Sequence, residues 1–188
     1  TLSQIPISKL PFPEVYTWSE VVNGKTKDKI ETEGDYNERA ANTHSYHLLD
    51  KKLIKSNRTT TSIELCDLMT ANNQYIHIKH RKGGSAGLSH LFAQGSVSAE
   101  ILLGDKEFRK ATRKVLKQVC NGLQNAVPLD NFKSDGVGIV FVILGEDSST
   151  LKDNLPFFSK VNLSKAFESL SQRGFDVQIA GVGTLPKP

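Results

Sequence analysis

The sequence predicts an α/β (α+β) fold, a mixed central β-sheet flanked by helices. Three observations predict it. Strand-like segments follow one another at short spacing between residues 46 and 81, and such short connections join antiparallel neighbours. "GVGIVFVIL" (136–144) is a continuous β-branched run, suited to a strand covered on both faces. Between these lie segments whose apolar residues recur at helical spacing.

The segment to about Gly34 reads as a loop-rich lead-in, because "LPFPE" breaks regular structure and "NGKTKDK" is a polar turn. "GDYNERAANTH" opens with a capping-type Gly-Asp and predicts a helix over 35–44 that carries Glu38. Strands follow at 46–54, 61–69 and 74–81, separated by "KSNRT" and "TANN". "RKGGSAG" breaks the third strand and opens a helix from Ser85 to about Leu103, with Leu88, Leu91, Phe92 and Leu102 on one stripe. A helix from about Asp105 to Leu123 buries Phe108, Ala111, Val115, Val119 and Leu123. It turns Lys106, Arg109, Lys110, Arg113, Lys114 and Lys117 outward. After the 136–144 strand come a helix at about 163–173, stopped by Gly174, and a last strand at 175–182. The order is helix, three strands, two helices, strand, helix, strand.

At 188 residues the chain suits one domain, here residues 1–188, with a lead-in at 1–34 and a core at 35–182. A net charge of +4 is compatible with a polyanionic partner without requiring one. The two cysteines, Cys66 in a strand and Cys120 in a helix, lack CxxC spacing, so no zinc knuckle or disulfide framework is suggested. Buried free thiols fit a reducing, cytoplasmic setting. The longest apolar run, Val137–Leu144, is too short to span a bilayer, so no membrane partner is expected. A start at Thr1 rather than Met reads as a piece of a longer protein, with a further N-terminal region among the expected partners beside a homodimer.

In "SIELCDLMTANNQYIHIKHR" (62–81), strand alternation puts His77 and Lys79 on the side of Tyr75, with Ile76 and Ile78 facing the other way. Asp67 closes the preceding strand beside the His-Ile-Lys segment. Alternation also turns Glu64 away from Asp67, outside the same site. An acid beside a lysine, with a second acid from the first helix, suits metal-assisted phosphodiester hydrolysis. The carboxylates would hold Mg²⁺ or Mn²⁺ and the lysine would orient water and offset developing charge. Glu38 is the leading helix acid, Glu33 and Asp35 its rivals, and Asp50 a further candidate at the end of the first strand's apolar part.

This arrangement resembles the αβββαβ, restriction-endonuclease-like core of the PD-(D/E)XK nuclease superfamily. The resemblance implies that Glu38 and Asp67 are metal ligands, that the Ile78 carbonyl adds a ligand, and that Lys79 is the catalytic lysine. His77 stands where that pattern has an acid or Gln, and would modulate the site. "DYNERAA", "LLDKKLI", "IELCDLMT", "IHIKH", "LSHLFAQGSVSAE" and "LPFFSKVNL" are further similar to a family of sporadically distributed bacterial proteins found near restriction and phage-defence genes, over about Leu10 to Val182. Together these imply a metal-dependent endonuclease acting on DNA, ahead of RNA, in bacterial restriction or phage defence. The alternative is a catalytically inactive nucleic-acid-binding or sensor module on the same fold. A third reading is a protein-interaction domain.

His80, Arg81 and Lys82 with Gly83 and Gly84 form a candidate phosphate grip at a helix start, and Arg109, Lys110, Arg113 and Lys117 a candidate nucleic-acid face. Ser89, His90 and Gln94, on the helix after Lys79, are candidate supports. Each feature also has a plain reading: a cross-strand ion pair for Asp67 and Lys79, a half-buried hydrogen-bonded His77, a solvated Glu38 and the wet face of an amphipathic helix.

Overall fold

Two hydrophobic faces of one sheet organise the chain, whose residues 1–188 are described by a computed structural model. In order, the elements are β1 (Val15–Val22), β2 (Lys25–Ile30), α1 (Glu33–His44), β3 (His47–Leu48), β4 (Leu53–Ile54), β5 (Ile63–Glu64), β6 (Leu68–Met69) and β7 (Gln74–His80). Then come α2 (Gly84–Gly104), α3 (Lys106–Val119), β8 (Gly138–Leu144), α4 (Ser148–Asn154), α5 (Phe157–Gln172), β9 (Asp176–Val182) and β10 (Thr184–Pro186). The central sheet has the order β3-β6-β7-β8-β9. Its β3–β6 and β6–β7 pairs are antiparallel, while β7–β8 and β8–β9 are parallel. The fold is therefore mixed α+β, as the sequence predicts. No helix is long and apolar enough to cross a membrane.

All seven β8 residues are buried, as expected of a strand covered on both faces. Ile139, Phe141 and Ile143 join Tyr75, Val177 and Ile179 in a core shared with α2, α3 and α5. Val140, Val142 and Leu144 join Leu68, Ile76 and Ile78 against Tyr36 and Ala40 of α1. The expected alternation along β7 therefore holds.

The lead-in is not a loop. β1 and β2 form a hairpin, and β10 adds to β1 in parallel. Asn23 (φ 53°) and Gly24 (φ 72°) both take the left-handed conformation that a two-residue hairpin turn requires. The arms escape an alternation test because β2 (KTKDKI) is mostly charged and has no buried residue. Their cross-strand links are polar, Ser19 Oγ–H donating to Asp28 Oδ1 (2.7 Å) and Lys29 pairing with Glu20 (3.0 Å).

The expected 46–54 and 61–69 strands each break in two. Lys51 is left-handed (φ 62°) and turns the chain out of the main sheet after β3. β4 then pairs with β5 alone, and the chain bends through Leu65–Asp67 before β6 rejoins. α1 starts at Glu33, two residues earlier than expected, because Thr32 accepts the Asp35 N–H as its N-cap (3.2 Å). α5 starts at Phe157 behind Pro156, and α3 stops at Val119. Cys66 sits in the bend and is buried, whereas Cys120 ends α3 and is exposed, against the expectation of two buried thiols.

Candidate metal and nucleic-acid site

β6 is too short to cover all of β7. It pairs through Leu68 with Ile76, so beyond that point the edge of β7 carries no neighbouring strand. Two carboxylates take over. The Ile78 N–H donates to Asp67 Oδ2 (2.6 Å), and the His80 N–H donates to Glu33 Oε1 (3.2 Å). Amide and carbonyl of one strand residue point to the same side, so the Ile78 carbonyl faces this edge too. Lys79 Nζ donates to Glu33 Oε2 (3.2 Å), and its stem passes α2 at Gly87. Glu33 therefore links the lysine to the edge that Asp67 caps.

Three acids converge here. Oxygens of Asp50, Glu64 and Asp67 lie within 4.8 Å of one another, and all three residues are half-buried. Asp50 arrives on the turn after β3, held beside Gly34 of α1, where a Cβ would stand 3.8 Å from Asp50 Oδ2 and 3.5 Å from Lys51 Nζ. Glu64 is fixed by the Lys51 N–H at Oε1 and by Gln94 Nε2, which donates to Oε2 (3.1 Å). Asp67 is steadied by Asn37, whose Nδ2 donates to Oδ1 (3.4 Å). Glu64 joins the cluster, contrary to the alternation argument, because the bend at Leu65–Asp67 resets which way the chain faces.

The electrostatics match this crowding. Burial pushes the Asp67 carboxyl up to about 8. The Ile78 N–H opposes that rise, and the negative charges of Glu64, Asp50 and Glu33 reinforce it. Glu64 is also raised, by burial first, against the lowering effect of the Lys51 N–H and with Asp50 adding to the rise. An all-oxygen donor set of this charge is what a hard divalent cation takes up. The Asn37 Oδ1 is buried with no hydrogen-bond partner, and a flip of the amide would turn it toward Asp67 in place of Nδ2.

Other expected site residues lie elsewhere. Glu38 is exposed, one position round the helix from the buried Asn37, and Glu33 is the α1 acid that reaches the edge of β7. His77 is 1% exposed, packs on Phe141 with ring centroids 5.9 Å apart, and has no partner at either ring nitrogen. Burial lowers its pKa to about 4, so it sits in the core as a neutral ring. His80 is buried, its Nε2–H donating to the Glu31 carbonyl (2.7 Å), and Arg81 is tied to Glu146 and to the Asn154 carbonyl. Neither is free to grip a phosphate, while Lys82, Gly83 and Gly84 are exposed as expected. On α3, Arg109 is buried and donates to the carbonyls of Leu102, Leu103 and Leu129, and Arg113 donates to those of Gln124 and Val127. Both act as internal clamps. Lys110 and Lys117 remain exposed. Ser89 accepts from Asn162 and joins α2 to α5, while Gln94 does reach the acidic cluster and His90 is exposed beside it. Asn37 and Lys51 also hold the cluster yet carry no sequence signal for it. No periodicity marks an Asn on a short helix or a Lys that turns left-handed.

The model of DUF6119, a family of unknown function, matches residues 2–183. The chain belongs to this family. Neither the curated proteins nor the solved structures contain a match to it. For this DUF6119 member the geometry itself must carry the chemistry. It offers a three-carboxylate cluster, a neighbouring lysine held by a fourth carboxylate, and an uncovered strand edge.

Proposed function

We propose that the chain is a metal-dependent nuclease domain that hydrolyses DNA phosphodiester bonds, on an αβββαβ, restriction-endonuclease-like core. The single observation that carries the reading is the convergence of Asp50, Glu64 and Asp67 within 4.8 Å, beside an edge where Glu33 holds Lys79. The succession α1, β3, β6, β7, α2 and β8 supports the core assignment.

The three carboxylates and the Ile78 carbonyl would hold Mg²⁺ or Mn²⁺. When bound, the ion supplies Lewis-acid polarisation of a phosphoryl oxygen and a more acidic water. The chain's own residues do the rest. Asp67 is aimed by the Ile78 N–H and Asn37, and Glu64 by Gln94 and the Lys51 N–H. Lys79, positioned by Glu33, would offer its ammonium to the negative charge that grows on the phosphate and would orient the attacking water. Glu64 supplies the carboxylate that His77, turned into the core, does not. A restriction or phage-defence role belongs to this reading through the family resemblance.

Cleavage of single- and double-stranded DNA and of RNA, with Mg²⁺ or Mn²⁺, tests it. Asp67→Asn and Lys79→Ala should each lose about a hundredfold or more in rate, as for removal of one transition-state-stabilising group. Cleavage at wild-type rate in both variants overturns the assignment. The inactive binding module is the second reading, favoured by the burial of His77 where the nuclease pattern has an acid or Gln.

A further inference from the structure

A trough leads away from the carboxylates. Its first part is a cleft of about 330 Å³ that shares Glu64 with the acidic cluster and is lined by Leu53, Ile63, His90, Gln94 and Val97. Leu53 and Val97 are 64% and 42% exposed, so the fold leaves two large aliphatic side chains in solvent on one cleft. Leu53 also lines the next hollow, of about 360 Å³, where Lys55, Lys110 and Lys114 stand against a single acid, Glu107. From Glu64 through the shared Leu53 to the three lysines, the linings of the two adjoining hollows change from acidic to half-apolar to basic.

We propose that this trough binds single-stranded nucleic acid, with one unpaired base in the Leu53–Val97 cleft and the adjoining phosphates on Lys55, Lys110 and Lys114. The proposal rests on the nuclease reading of the carboxylate cluster and names the substrate class of that site. Charge orders the occupants. Without a cation the carboxylate cluster disfavours a bare phosphate, so the cleft beside it suits an uncharged group, and a nucleobase is uncharged. The basic hollow suits the anionic backbone that follows. Aliphatic walls and the exposed His90 imidazole offer packing for a base face. Gln94 gives one amide proton to Glu64 and keeps its carbonyl oxygen for a base edge. A base inside a duplex has both faces stacked and its pairing edge occupied, so it enters only when unpaired or flipped.

Fluorescence anisotropy with short labelled oligonucleotides, in EDTA so that turnover is absent, tests this. The arms are a single DNA strand, the same sequence as RNA, the DNA duplex, and the DNA strand with consecutive abasic sites. The expected result is binding of the single strand about tenfold tighter than the duplex or the abasic strand, the scale of one stacked base. Leu53→Asp and Val97→Asp, both at exposed positions, should weaken binding similarly while circular dichroism shows an unchanged fold. A Lys110→Glu/Lys114→Glu double variant should flatten the salt dependence. Tight binding of either sugar type with this base dependence supports the proposal. Equal binding of duplex and single strand, equal binding of the abasic strand, or a dimer that Leu53→Asp dissolves overturns it. Because no cleavage is read, base-dependent binding survives if the wild type proves inactive, and fails independently if the wild type cleaves without it.

Discussion

Asp67→Asn should stabilise the metal-free protein near pH 8 and remove its response to divalent cations. In the fold, the Asp67 carboxyl titrates at about 8 rather than 3.8, because it is buried and faces Glu64, Asp50 and Glu33. A carboxyl raised in the folded state favours folding while it stays protonated. That advantage shrinks as pH rises from about 4 to about 8, because the unfolded chain releases its proton first. A displacement from 3.8 to about 8 corresponds to an upper bound of ~6 kcal/mol at 1.36 kcal/mol per pKa unit. Solvent access to the half-buried cluster and relaxation of its side chains cut this to about 1–3 kcal/mol. Asparagine at this position keeps an acceptor for the Ile78 N–H. The unpartnered Asn37 Oδ1 can rotate to accept the new amide proton, which keeps a hydrogen bond between the two side chains and leaves Asn37 Nδ2, in place of its Oδ1, as the unpartnered group. Thermal unfolding from pH 5 to pH 9, with and without Mn²⁺, reads the effect. For a chain of this size the gain at pH 8 is roughly 3–10 °C in Tm. Mn²⁺ should raise the wild-type Tm increasingly with pH and leave Asp67→Asn unmoved. A variant less stable than wild type at pH 8, or one that Mn²⁺ stabilises as much as wild type, refutes the electrostatic account of the cluster.

Other outcomes follow from the same packing. His77→Leu should raise stability below pH 6 by about 1–3 kcal/mol. A ring whose pKa is lowered to about 4 from 6.5 contributes stability that is lost as pH falls between those values, and chemical denaturation at pH 5 and pH 8 separates this from general repacking. Gly95→Ala would set a Cβ 2.5 Å from Phe141 Cε1, inside the Phe92–Phe141–His77 stack, and should cost about 1–3 kcal/mol in the same measurement. Arg109→Ala, which strips the carbonyls of Leu102, Leu103 and Leu129 of a charged donor, should cost about 2–4 kcal/mol, whereas Lys117→Ala on the same helix should stay within about 0.5 kcal/mol.

The strongly patterned parts of the sequence are those the structure reproduces. The unbroken β-branched run at 138–144 marks a strand buried on both faces, and the Ile76/Ile78 alternation marks one face of β7, so β8 and β7 are legible. The N-terminal hairpin is not, because β2 carries charge on both faces and its register comes from the Asn23-Gly24 turn and polar cross-strand pairs rather than a buried stripe. At the site, Asp67 and Lys79 were legible as a pair flanking a hairpin, and they do meet one strand edge. Glu38 and Glu33 differ by little in sequence. The Thr32 cap brings Glu33 into the helix, and burial of Tyr36, Ala40 and Ala41 against the sheet leaves Glu38 in solvent while Glu33 reaches Lys79. Glu64 falls outside the site only if alternate residues are counted straight through Leu65–Asp67, which is a bend. The six basic residues of the α3 face look alike in sequence, yet Arg109 and Arg113 are consumed by carbonyls left open at helix and turn ends.

An uncovered strand edge needs its amides occupied, and a side-chain acceptor suffices for that. Asparagine at position 67 would cap the Ile78 N–H without charge. The chain instead places a carboxylate there, then brings Asp50 and Glu64 against it from two further segments, and holds Glu64 with a glutamine and a backbone amide. Each step raises the cost of ionising Asp67, and none is required by the capping role. A purely structural edge would shed that repulsion at no loss of hydrogen bonding. A site that recovers it when a cation binds gains both affinity and a pH-dependent trigger, because the proton displaced from Asp67 below about pH 8 makes uptake of the cation steeper as the solution becomes more alkaline.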